Sequence, residues 1–94
     1  MNTACDGIVF AGADEVAEIA YVTLHETNIE LVGVLDEESA GKVFFGRKIK
    51  PLNALSDLDF DCVVITSYLK REKLYKELLS HGVAKKSVRV IFHH

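Results

Sequence analysis

The sequence predicts an α/β domain built around a parallel β-sheet. Short apolar runs that suit strands alternate along the chain with amphipathic stretches that suit helices. The run over 29–35 is apolar almost throughout, which is typical of a strand buried on both faces. The first run ends at Gly12, and a helical pattern begins immediately after it, as in a βαβ unit. These observations predict four or five parallel strands in the order 3-2-1-4-5, joined by right-handed crossovers.

The first part of the chain is expected to contain two strands and one helix. Residues 7–11 suit the first strand, and 29–35 suit the second. Between them, a helix is expected from Asp14, a good N-cap residue, to about residue 25. The spacing of the side chains predicts that this helix packs on the sheet through Val16, Ile19, Ala20, Thr23 and Leu24.

The second part is expected to add three strands and a second helix. After a loop that contains glycines, residues 48–50 suit a short edge strand. The apolar run over 61–67 suits a central strand, and 88–92 suits the last one. An amphipathic helix is expected over 71–81, with Gly82 as the left-handed residue that ends it.

Composition excludes several classes of protein. The 94 residues carry a net charge of −3 and contain no apolar run of membrane-spanning length and no signal peptide, so we expect a cytoplasmic domain without a membrane partner. No basic patch with interleaved aromatic residues suggests direct contact with nucleic acid. We expect Cys5 and Cys62 to be reduced thiols, Cys62 as a small buried hydrophobe. The histidines and cysteines do not have the spacing of a metal site.

The charges are divided unevenly between the two parts of the chain. Residues 1–41 contain no Lys or Arg, whereas all 11 basic residues lie from Lys42 onward. One interpretation is a solvated acidic helix face. The other is head-to-tail or two-fold pairing between oppositely charged faces, which favours a homodimer.

The turn after the first strand departs from the dinucleotide-binding pattern Gly-x-Gly-x-x-Gly/Ala. The chain reads Gly12-Ala13-Asp14-Glu15-Val16-Ala17, so a carboxylate stands where the second glycine is expected. A carboxylate about 4 Å from a phosphate costs about 1 kcal/mol in water and about 4 kcal/mol at the dielectric of a protein surface. We therefore expect Asp14 to cap its own helix and to prevent tight pyrophosphate binding.

Several segments together carry a family resemblance: 9–20, 32–36, 41–46 with Ile49 and Pro51, and 61–67. They resemble the small Rossmann-like domains related to CoA- and nucleotide-binding proteins. Two similar sets are the sensory domain of bacterial winged-helix transcription regulators and the N-terminal domain of sugar O- and N-acyltransferases. The resemblance implies that 1–94 is a single Rossmann-like domain, a three-layer sandwich and a fragment of a larger protein.

The resemblance also implies a ligand crevice at the carboxyl ends of strands 1, 2 and 4, where the strand order reverses. The residues expected at its rim are Gly12, Ala13, Asp14, Asp36, Thr66 and Ser67. Each has a structural alternative. Gly12 suits a tight turn with or without a ligand. Asp36 suits ribose hydroxyls or a loop cap, and the two hydroxyl side chains suit a phosphate, a base or a simple turn. The cofactor stays open between NAD, CoA and a nucleotide-sugar.

The chain contains no pattern of residues that suggests a catalytic centre, and we expect no catalytic activity from this domain alone. The expected function is a ligand-sensing or dimerisation module with a degenerate nucleotide-binding crevice, from a bacterial transcription regulator. Its expected partners are a small nucleotide-like ligand and a second copy of the chain. The alternative is the nucleotide-sugar-binding N-terminal domain of a sugar acyltransferase. A third interpretation is a domain kept only for association.

Overall fold

The computed structural model describes residues 5–91 and has an α/β architecture with a four-stranded parallel sheet. Its strands and helices are β1 Gly7–Ala11, α1 Glu15–Leu24, β2 Glu30–Leu35, β3 Val43–Phe44, β4 Arg47–Lys48, β5 Cys62–Ile65, α2 Arg71–Ser80 and β6 Val88–Val90. Two 3-10 helices cover Leu52–Asp57 and Lys85–Ser87. No helix among the described residues is both long enough and apolar enough to cross a membrane. The strand predicted over 88–92 corresponds to β6, and residue 92 lies outside the described residues.

The strands of the main sheet follow the order β2-β1-β5-β6, which differs from the predicted order 3-2-1-4-5. The difference lies at the edge next to β2, where residues 48–50 do not form a strand of this sheet. Instead, β3 and β4 form an antiparallel hairpin, and Lys50 alone bridges Leu35 in parallel. The pairing does not continue along β2, because the next N–H group in register, that of Leu52, donates to the Glu37 carboxylate at the start of the 3-10 helix.

An apolar cluster lies on each face of the sheet. On β1, Val9 and Ala11 point toward α2, whereas Ile8 and Phe10 point toward α1. The first cluster also contains residues of α2 and of the 3-10 helix Leu52–Asp57. The second contains Ala17 of α1 together with the hairpin residue Phe44. The alternation along β1 therefore buries the sheet on both sides, as continuous apolar strands predict.

Helix α1 packs on the sheet through part of the predicted face, since Ala20 and Leu24 contact the apolar cluster as expected. Ala17 is fully buried, and Ala20, Tyr21 and Leu24 pack against the same cluster. Ile19 is 68% exposed, so its predicted place on the inner face is wrong, as is that of the exposed Thr23. Ile19 is two residues from Ala17, which places it about 200° around the helix, so it faces away from the sheet.

The two cysteines form a disulfide bond, which corrects the expectation of free thiols. Cys5 and Cys62 have Cα atoms 5.5 Å apart, a separation that a disulfide accommodates. The neighbouring Asp61 carboxylate accepts hydrogen bonds from the N–H groups of Asp6 (3.1 Å) and Gly7 (2.9 Å). These bonds hold the start of β1 against β5, and they bring Cys5 beside its partner.

Helix α2 begins and ends close to the predicted residues. It covers Arg71–Ser80, and Leu74 and Leu78 are its buried side chains. Gly82 has a φ of 93°, and the N–H of Val83 donates to the carbonyl of Leu78. The prediction of a left-handed glycine that ends this helix is confirmed.

Candidate functional site

The candidate site lies at the carboxyl ends of β1, β2 and β5. Helix α1 leaves β1 toward one face of the sheet, and α2 packs on the other face. The β1–β5 boundary is therefore the point at which the connections reverse direction, the usual place for a ligand in an open α/β sheet. All six residues predicted from the sequence lie in the segments that follow these three strands: Gly12, Ala13, Asp14, Asp36, Thr66 and Ser67.

Gly12 makes the tight turn that leaves β1. Its φ is +109°, a region that side-chain-bearing residues rarely adopt, and its N–H donates to the Leu35 carbonyl at 2.8 Å. A Cβ atom at this position would lie 2.6 Å from the Cβ of Ser67. The turn and the close approach to Ser67 both require a glycine, and neither requirement involves a ligand.

Asp14 is the N-cap of α1, as predicted. Its backbone is extended, and its Oδ1 accepts a hydrogen bond from the N–H of Val16 at 3.0 Å. The first turn of the helix also carries Glu15 and Glu18. Three carboxylates therefore surround the positive end of this helix, which is the end that binds phosphate in nucleotide-binding folds.

Asp36 lies at the centre of the site and is only 3% exposed. Its Oδ2 accepts a hydrogen bond from the N–H of Ala13 at 2.8 Å, and its Oδ1 accepts one from the N–H of Glu38 at 2.9 Å. The N–H of Ala13 belongs to the glycine turn, and because it donates to Asp36 it is not available to an anion. The carboxylate of Asp36 thus takes the place of such an anion.

Lys70 closes the crevice from the opposite side. Its Nζ lies 3.2 Å from Oδ1 and 3.1 Å from Oδ2 of Asp36, and 3.3 Å from Oε1 of Glu38. The lysine immediately precedes α2, so the ion pair joins the loop after β2 to the start of that helix. A cavity of about 20 Å³ lies beside this ion pair and has room for about one water molecule, and it is lined by Asp36, Glu37, Glu38, Lys70, Lys73, Leu74 and Glu77.

The ion pair keeps both partners charged at neutral pH. Burial alone would raise the pKa of Asp36, but the N–H of Ala13, the Lys70 ammonium group and the N–H of Glu38 outweigh that effect and lower the pKa. Burial alone would lower the pKa of Lys70, but the hydrogen bond and charge of Asp36, followed by those of Glu38, raise it. The two pKa values move apart, so neither group titrates near neutrality.

The two hydroxyl side chains at the end of β5 also have partners within the protein. Thr66 is fully buried, and its Oγ1 donates to the carbonyls of Gly12 at 2.5 Å and Ala11 at 3.2 Å. Ser67 is fully buried too, and its Oγ accepts a hydrogen bond from the N–H of Lys70 at 3.4 Å. Both side chains connect the segment after β5 to its neighbours, which is the structural alternative considered for them.

Sequence reasoning missed the partnership of Lys70 with Asp36, and it missed the role of Glu37. The Glu37 carboxylate accepts a hydrogen bond from the N–H of Leu52 at 2.6 Å, at the start of the 3-10 helix. A signal for Lys70 was present. A lysine at the positive end of a helix is unfavourable unless an anion lies nearby, and here that anion is Asp36.

A family described as C2185-like, N-terminal, matches residues 6–89. The chain belongs to this family. The match includes all six predicted residues of the crevice, and also Lys70 and the loop that carries Glu37 and Glu38. No curated protein matches the chain. Within residues 5–91 of this C2185-like domain, no group of three His, Cys, Asp or Glu side chains is placed to hold a metal ion.

Proposed function

We propose that this C2185-like domain is a ligand-sensing or dimerisation module with a degenerate nucleotide-binding crevice. In this proposal the fold is a Rossmann-like three-layer sandwich, since each face of the parallel sheet carries an apolar cluster to which a helix contributes. The observation that carries the proposal is the hydrogen bond from the N–H of Ala13 to the carboxylate of Asp36. A second carboxylate, that of Asp14, accepts from the N–H of Val16.

Both carboxylates act against a diphosphate ligand. A phosphate group that approached the turn would have to displace the carboxylate of Asp36 from Ala13 and would remain close to two negative charges. Each charge about 4 Å away costs about 1 to 4 kcal/mol, depending on exposure to water.

These features favour dimerisation over ligand sensing. With its crevice closed, the domain contributes no catalytic step and holds no tightly bound NAD, CoA or nucleotide-sugar. We assign it to a bacterial transcription regulator on the resemblance of its motifs to the sensory domains of such proteins, with DNA contacts made by another domain. The sugar-acyltransferase alternative requires a nucleotide-sugar in the crevice, so the same closure counts against it.

Ligand sensing is the second candidate, and Lys70 is the observation that favours it. The side chain of Lys70 is 27% exposed, so an anion in solvent can reach the ammonium group. Such an anion would draw Lys70 away from Asp36 and would loosen the link between the β2 loop and α2. Binding would then change the position of α2 without filling the turn at Gly12.

Calorimetric titration with NAD, CoA and UDP-N-acetylglucosamine tests the crevice, and sedimentation velocity tests association. We expect no heat of binding from wild-type protein and a sedimentation coefficient that rises with protein concentration. Micromolar binding of any of the three ligands would contradict the degenerate crevice. Weak binding that disappears in Lys70→Met, but persists in the control Lys85→Met, would favour sensing over dimerisation. A monomer at all concentrations would exclude the dimerisation role.

A further inference from the structure

Helix α1 carries an outward stripe that combines acidic and apolar side chains. Glu15, Glu18, Ile19 and Val22 recur at spacings of three and four residues, so they share one face of the helix. Ile19 is 68% exposed and Val22 is 59% exposed. The core does not use this face, because the helix packs on the sheet through Ala17 and its neighbours. We call these four residues the α1 stripe.

A groove of complementary character lies on the opposite face of the sheet, between α2 and β6. Its volume is about 270 Å³, and it is lined by Arg71, Glu72, Tyr75, Lys76 and Val90. Tyr75 and Val90 supply apolar surface, and the two basic side chains outnumber the single acidic one. Among the described residues β6 pairs with β5 alone, so the outer edge of the sheet borders this groove. We call this surface the α2–β6 groove.

We propose that the α2–β6 groove of one copy of this chain accepts the α1 stripe of a second copy. The inference rests on the dimerisation role proposed above and specifies the geometry of that contact. The acidic stripe and the basic groove have opposite charge, which steers their encounter and sets their orientation. Apolar residues lie within both surfaces, as in other helix-in-groove contacts that use anchors at i and i+3.

Charge also argues against symmetric contacts, in which two copies would use the same surface. Pairing of two α1 stripes would bring four glutamates together, and pairing of two grooves would bring Arg71 and Lys76 of both copies together. The stripe and the groove lie on opposite faces of one sheet, since α1 and α2 pack on different clusters. The contact is therefore heterologous: each copy uses one surface as donor and the other as acceptor, so the dimer is the first step toward a ring or an open chain of wild-type copies.

Two variants test the stripe and the groove separately in sedimentation velocity experiments. The stripe variant is Ile19→Ser with Val22→Ser, and the groove variant is Lys76→Glu with Val90→Ser. Their matched controls change exposed residues outside both surfaces: Val43→Ser for the stripe and Lys85→Glu for the groove. Each variant alone is expected to self-associate at least about tenfold more weakly than wild type, whereas both controls behave as wild type. Association of wild type is expected to weaken at high salt.

An equal mixture of the stripe and groove variants is the decisive sample. The stripe variant retains its groove and the groove variant retains its stripe, so the mixture is expected to form a heterodimer that does not grow further. A mixture that stays monomeric, or association that neither variant weakens, overturns the head-to-tail contact while the dimerisation role stands. Wild type that is monomeric at every concentration overturns both. If either variant fails to fold by circular dichroism, the single charge reversals Glu18→Lys in the stripe and Lys76→Glu in the groove replace the two variants. Each reversal alone is expected to weaken association, and the two combined in one chain are expected to restore it.

Discussion

Replacement of Asp36 by alanine is expected to destabilise the domain more than replacement of its ion-pair partner Lys70. The carboxylate accepts hydrogen bonds from two backbone N–H groups and from the ammonium group of Lys70. Alanine removes both carboxylate oxygens at once, so all three donors lose their acceptor. The replacement therefore removes two roles of Asp36 together, the stabilisation of the glycine turn and the attachment of α2, whereas replacement of Lys70 removes only the second.

The three donors do not contribute equally. The N–H of Ala13 lies in the turn and loses its partner, which costs about 1–3 kcal/mol. Lys70 is 27% exposed and can return to water, so loss of the ion pair adds about 1 kcal/mol. The N–H of the exposed Glu38 also finds water. We expect a total of about 2–4 kcal/mol, a large fraction of the stability of about 5–14 kcal/mol that a domain of this size has.

Replacement of Lys70 by methionine is expected to cost less, about 1–2 kcal/mol. Asp36 then keeps both of its N–H donors, which continue to stabilise its buried carboxylate. Urea unfolding followed by circular dichroism measures both variants, with Glu26→Gln as the control because Glu26 is exposed and lies outside the crevice. If Lys70→Met destabilises the domain as much as Asp36→Ala, the turn does not depend on Asp36 in the way argued here. A cost below about 1 kcal/mol for Asp36→Ala has the same meaning.

Three further predictions concern pH, the turn and the disulfide. Because the folded-state pKa of Asp36 lies below 3.8, its contribution is present at neutral pH and is lost as pH falls through the lower value. Acid titration of stability should therefore fall less steeply for Asp36→Asn than for wild type. Gly12→Ala should lower the free energy of unfolding in urea by more than about 2 kcal/mol, because the new Cβ would lie 2.6 Å from the Cβ of Ser67. Gly41 also has a positive φ but lies in open space, so Gly41→Ala should lower the same free energy by only about 1 kcal/mol. Reduction of Cys5–Cys62, which are 57 residues apart, should remove up to about 4 kcal/mol of stability, and the reductant should have no effect on Cys5→Ser.

The sequence predicted the features that depend on local patterns. Strand β1, helix α2 and the glycine that ends α2 follow from apolar spacing and from the special conformations of glycine, which a short window contains. The N-cap role of Asp14 is also local, because the side chain bonds to the N–H of Val16 two residues later. The assembly of the crevice residues followed from a topological rule, since the carboxyl ends of neighbouring parallel strands meet at one edge.

The features that could not be predicted depend on long-range pairing. Asp36 and Lys70 are 34 residues apart, and the two cysteines are 57 apart, so neither partnership leaves a local signal. The orientation of α1 failed for a different reason. This helix has apolar residues on more than one face, so the 3.6-residue period fits two orientations equally well. In the structure, the face that packs on the sheet carries Ala17, Ala20, Tyr21 and Leu24.

The same ambiguity in α1 bears on the function. A helix needs one apolar face to pack on its sheet, and α1 uses Ala17, Tyr21 and Leu24 for that purpose. Ile19 and Val22 are then unexplained by folding, since exposed apolar side chains in a stripe add nothing to the core. In the crevice, by contrast, the side chains of Asp14, Asp36, Thr66 and Ser67 all have partners within the protein. A domain that satisfies its own crevice and leaves an apolar stripe in solvent is better suited to bind another chain than a nucleotide.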